Sequence, residues 1–81
     1  MPRYYFHIRS DDDTARDDEG TDLPDLDAAR ELALATAREL LGNAIKEGKD
    51  VVPKTIMIAD AFGREVASVS MRDVVPSHLR D

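Results

Sequence analysis

No cysteine occurs anywhere in the 81 residues. That removes disulfides, thiolate metal sites and thiol nucleophiles from consideration, and it suits a reducing compartment. Nor is there an apolar run near the roughly 18 residues that a membrane span requires. The opening Met1-Pro2-Arg3-Tyr4-Tyr5-Phe6-His7 lacks the apolar stretch of a secretory signal, so a cytoplasmic protein without a membrane segment is expected. Positive charge is also scarce: eleven Lys and Arg stand against seventeen Asp and Glu, for a net charge of −6. Nucleic-acid affinity comes largely from basic residues that displace counterions from phosphate. Direct binding to DNA or RNA is therefore not expected, whereas a basic protein partner is compatible with the charge.

The familiar catalytic and binding signatures are missing as well. Ser10, Ser68 and Ser70 have no G-x-S-x-G elbow around them. Gly20, Gly42, Gly48 and Gly63 form no phosphate-cradling loop. An EF-hand register with Gly20 at its sixth position puts Ala15 first and Leu26 last, where acidic ligands are required. Asp11, Asp12 and Asp13 belong to a turn, where neighbouring side chains diverge. His7 is the only histidine in an expected element, and the sequence sets no carboxylate beside it. Catalytic, metal and cofactor residues are accordingly assigned to none. No internal repeat or low-complexity segment is present.

What is there is a small α+β pattern. Residues 4–8, Tyr-Tyr-Phe-His-Ile, are aromatic and β-branched and predict a first strand. Alternation puts Tyr4, Phe6 and Ile8 on one face and Tyr5, His7 and Arg9 on the other. Ser10 and the three aspartates predict a turn, residues 14–17 a short second strand, and Asp18-Glu19-Gly20 another turn. The helix signal is the clearest. Asp25 is positioned as N-cap. Leu26, Ala29, Leu32, Ala33, Ala37, Leu40, Leu41, Ala44 and Ile45 recur at helical spacing, and Gly48 follows Lys46 as a natural stop. Gly42 is a soft spot within it. After a linker over 49–53, residues 55–59 predict a third strand, 60–63 a hairpin with Gly63 in the left-handed position, and 64–71 a fourth strand with Ala67, Val69 and Met71 inward.

The expected order is β-β-α-β-β: a four-stranded antiparallel sheet, strand order 2-1-3-4, with one long helix over residues 26–47 packed on one face. The domain covers 1–75 and a loose tail 76–81. One helix covers only one face, so Tyr5, His7, Met57 and Val66 on the other are the candidate interface, and a homodimer is expected.

Several of these segments carry a resemblance. The Met1–His7 opening, the acidic run Asp17-Asp18-Glu19-Gly20-Thr21-Asp22-Leu23-Pro24-Asp25, the helix start Leu26-Asp27-Ala28-Ala29-Arg30 and the hairpin Asp60-Ala61-Phe62-Gly63-Arg64 together resemble a family of short bacterial proteins of unknown function, DUF6894. The resemblance spans nearly the whole chain and implies a fold rather than an activity or a site. A fainter one is to the N-terminal domain of HicB-type antitoxins, which pair an antiparallel sheet with one helix entered through an acidic segment. This chain has a shorter second strand and no DNA-binding extension. A non-catalytic protein-binding or assembly module is the function these observations favour. The alternatives are an antitoxin-like partner of a small basic toxin and, behind it, a small enzyme or metal-binding protein using His7 and the acidic loops.

Overall fold

The computed structural model describes residues 1–49, 53–76 and 79. The first strand, β1, spans Arg3–Arg9, and two short segments follow, β2 (Thr14–Ala15) and β3 (Thr21–Asp22). Then come the helix α1 (Leu26–Glu47), β4 (Thr55–Ala59), β5 (Glu65–Ser70) and a 3-10 helix, Met71–Val74. Every strand pairing is antiparallel and the main path runs β2-β1-β4-β5, with β3 also paired to β1. The α+β class, the single long helix and the strand neighbours are those the sequence predicts. Three details differ. The second strand stops at Ala15 instead of Asp17. An extra strand, β3, returns to the same edge of β1. Met71 leaves the sheet to begin the 3-10 helix.

β2 and β3 behave as one interrupted strand. Ile8 faces Ala15 and Tyr4 faces Thr21, so four steps along β1 are matched by six on the returning chain. The two surplus residues loop out between Ala15 and Thr21.

The helix forms where its signals lie. Asp25 accepts a hydrogen bond from the Ala28 N–H at 2.9 Å, satisfying one of the free donors at the helix start. At the other end Gly48 takes a left-handed φ of 70°. Its N–H reaches the Ile45 carbonyl, and that of Lys49 reaches Ala44, which closes the helix in a Schellman motif.

Ala29, Ala33 and Ala37 are completely buried. Their small side chains let the helix approach the sheet closely, with Ile56 and Ile58 of β4, also fully buried, filling the space opposite. Tyr4, Phe6, Ile8, Ala67 and Val69 join this core on the face predicted for them, and Met71 joins it from the 3-10 helix. Two residues of the predicted stripe do not. Leu32 is 37% exposed and Ile45 70% exposed, while Leu34 packs on the core in their place. At about 100° per residue Ile45 lies about 120° from the line of buried alanines. Leu32 and Leu34 flank that line on opposite sides, and of the two Leu34 packs on the core; Ile45, on the same side as Leu34, falls in the last turn of the helix. Residues 50–52 of the predicted linker over 49–53, and most of the predicted tail, residues 77, 78, 80 and 81, lie outside the described residues.

Candidate functional site

The sheet face away from α1 carries the residues with chemical potential. Tyr5 pairs with Ala59 and His7 with Met57 across β1 and β4, and Met57 pairs with Ser68 on β5. Tyr5, His7 and Met57 therefore share one face, as predicted. Val66 is placed elsewhere. Ala59 faces Glu65 but Ile58 faces Ala67, so Val66 is the extra residue of a bulge, and a bulge breaks the alternation that assigns faces. Val66 instead borders an apolar hollow of about 300 Å3 together with Tyr4, Leu26 and Phe62.

The surplus residues between β2 and β3 bring an acidic group to His7. The Asp17 N–H donates to Nδ1 of His7 at 3.0 Å, so that nitrogen is the acceptor and a ring hydrogen sits on Nε2. The Asp17 carboxylate does not bond to the ring. One oxygen accepts from the Phe6 N–H at 3.1 Å, and the other accepts from the N–H groups of Glu19 and Gly20, each at 3.1 Å. Phe6 sits between the stretches of β1 paired by β2 and by β3, so the carboxylate satisfies the backbone donor that the interruption leaves open. Burial works to raise the Asp17 pKa, but the Gly20, Phe6 and Glu19 donors and the nearby His7 outweigh it and hold the group below the usual carboxylate range. Gly20 belongs to the same knot. Its φ is 73°, and a Cβ there would lie 2.8 Å from Cγ of Arg3 and 2.9 Å from Cε2 of Tyr5. A side chain is thus excluded both by conformation and by space.

A shallow polar hollow of about 220 Å3 opens beside this knot, bordered by Tyr5, His7, Arg16, Asp17 and Asp60. Asp60 is likewise committed to structure. Its carboxylate accepts from the backbone N–H groups of Phe62 and Arg64 and from Nε of Arg64. The Arg64 backbone donor is the largest of the influences that keep its pKa below the usual range, with burial opposing. With Gly63 at φ 81°, these bonds fix the β4–β5 hairpin and display Phe62, 83% exposed, under the Arg64 guanidinium at 5.3 Å from the ring centroid. At the same end of the sheet, on the other edge of β1, Arg3 reaches both oxygens of its cross-strand neighbour Asp22 at 2.9 and 3.3 Å.

Among the described residues no group of three His, Asp or Glu side chains converges as a metal site would require. None of the buried residues there is polar, and no buried side-chain polar atom is left without a partner. No described helix is long and apolar enough to cross a membrane. The His7–Asp17 proximity escaped the sequence reading, although a signal for it existed. Continuing the register of a hairpin around Ser10 and the aspartates brings Asp17 opposite Phe6.

The family model for a domain of unknown function, DUF6894, matches residues 3–72, from the start of β1 into the 3-10 helix. No curated protein and no solved structure matches the chain.

Proposed function

The chain belongs to the DUF6894 family, and from that premise we propose that it is a non-catalytic interaction module that assembles with a second copy of itself. The observation that carries the reading is the commitment of His7 and Asp17 to the backbone. A general base needs a free lone pair within reach of a substrate proton. The Nδ1 lone pair of His7 is occupied by the Asp17 N–H, and both Asp17 oxygens are occupied by three backbone donors. A carboxylate held this way is also a weaker base than usual. Use of Nδ1 of His7 or of the Asp17 carboxylate as a base would begin by breaking bonds that hold the edge of the sheet. Self-association is supported by size: a domain of about 80 residues buries only about 60–65% of its unfolded surface and gains from further burial.

Sedimentation at micromolar concentration tests the assembly. The expected mass is twice the 9.0 kDa of the chain, and a single-chain mass throughout overturns it. A basic partner is the second reading, favoured by the net charge of −6 and the exposed Asp11, Asp12, Asp13 and Asp18. A small, strongly basic protein encoded beside this one, and forming an equimolar complex with it, would replace self-assembly with an antitoxin-like role.

A further inference from the structure

We infer that the two copies meet along the outer edge of β5, strand against antiparallel strand, forming one continuous sheet. The inference rests on the assembly reading above and supplies its surface.

The two edges of the sheet differ: on the β1 side the edge is made by β2 and β3, two residues each with a loop between them. β1 is closed along its length: β3 pairs at Arg3 and Tyr4, β2 pairs at Ile8 and Arg9, and the Asp17 carboxylate takes the Phe6 N–H between them. β5 pairs with β4 on one side, and no described residue pairs with it on the other. The Met71 N–H bonds to the Lys54 carbonyl, one step beyond the Thr55–Ser70 pair. By the alternation of an antiparallel ladder, Ala67 and Val69 then direct their backbone groups toward β4, and Ser68 and Ser70 direct theirs outward.

Exposed edges are normally blunted by lysine, proline, inward charge, a bulge or shortness. β5 reads Glu-Val-Ala-Ser-Val-Ser. Its single charge, Glu65, and its bulge lie together at one end, and residues 67–70 carry no such device. This segment is also complementary to itself. With a two-fold axis at Val69, Ser68 of one copy opposes Ser70 of the other, and their outward N–H and C=O groups exchange bonds in both directions. The two Val69 side chains meet on the helix-covered face, while Ser68 and Ser70 meet on the opposite face. Apolar groups oppose apolar groups and hydroxyls oppose hydroxyls, as stable cross-strand pairs require. An isologous contact of this kind is what a closed two-fold dimer needs.

Two variants and one exchange measurement test the placement. Ser68→Pro removes an outward N–H, which an edge strand tolerates when that group faces solvent. Ser68→Lys adds a charge that two paired strands would bring close together. Both are expected to halve the sedimenting mass while far-ultraviolet circular dichroism stays unchanged. In the wild type the Ser68 and Ser70 amides should exchange slowly with solvent, and faster on dilution. A wild-type dimer that persists in both variants, or whose Ser68 and Ser70 amides exchange freely, overturns the β5 placement and leaves the assembly reading standing. A wild type that is a single chain at every concentration overturns both. If Ser68→Pro fails to fold, the lysine variant and the exchange rates still decide.

Discussion

Asp17 replaces a length of strand with a side chain. Three backbone donors from two parts of the chain, Phe6 on β1 and Glu19 and Gly20 in the loop, converge on its two oxygens. A neutral amide can offer only one accepting oxygen, so Asp17→Asn should cost about 1–2 kcal/mol at neutral pH. The pH dependence has a definite sign. A carboxyl whose folded pKa lies below its ordinary 3.8 contributes stability above that value and loses the contribution as the pH falls through the depressed one. The wild type has this contribution to lose and the variant does not, so their denaturation midpoints should converge below about pH 4. A constant gap between them down to pH 2 would show that the charge is not what matters. None of this follows from residue type alone. The run Asp17-Asp18-Glu19 reads in sequence as three equivalent solvated acids, and only the register of β1 against the returning chain singles out the first.

Elements differ in how openly the sequence declares them. α1 is legible at both ends because its caps are local chemistry: Asp25 bonds within its own turn, and Gly48 relieves a strain that any other residue would feel. Removing the Asp25 cap by Asp25→Ala should cost about 1 kcal/mol. Gly42 lies within the helix, and a Cβ placed there meets nothing within 4 Å. Gly42→Ala should therefore stabilise by up to about 1 kcal/mol, which in a domain this small raises the melting temperature by roughly 4–8 °C. The check is a thermal melt of both variants at one fixed protein concentration, and a lower midpoint for Gly42→Ala would contradict the helix geometry. β3 and the β5 bulge were illegible for the opposite reason. Two residues give no periodicity to read, and a bulge is a property of two strands in register. Val66 therefore looked like an outer-face residue and lies beside Tyr4 and Leu26 instead. The core side of β1, β4 and β5 was readable throughout, because Tyr4, Phe6 and Ile8, Ile56 and Ile58, and Ala67 and Val69 keep strict alternation.

For the molecule as a whole, composition and pattern were enough for one helix on an antiparallel sheet, while the fate of the outer face depended on contacts between segments distant in sequence. Part of that face, at Tyr5 and His7, is approached by the loop of residues 16–20; the turn at residues 18–20 was expected, its approach to His7 was not. The seal that this loop and its flanking short strands place on β1 has a consequence for growth. Strand-to-strand addition is chain polymerisation when both edges of a sheet accept a newcomer, and its product is a fibre. A sheet with one closed edge has a valence of one, and under the β5 pairing two such units terminate each other. Asp17→Ala opens the middle of that seal, at the Phe6 N–H, and loosens the loop that joins the two short strands, so its sedimentation profile should gain species heavier than a dimer, with thioflavin-positive material on standing. The wild type at equal concentration should stay at two chains, its β1 side covered by the two short strands and the carboxylate between them.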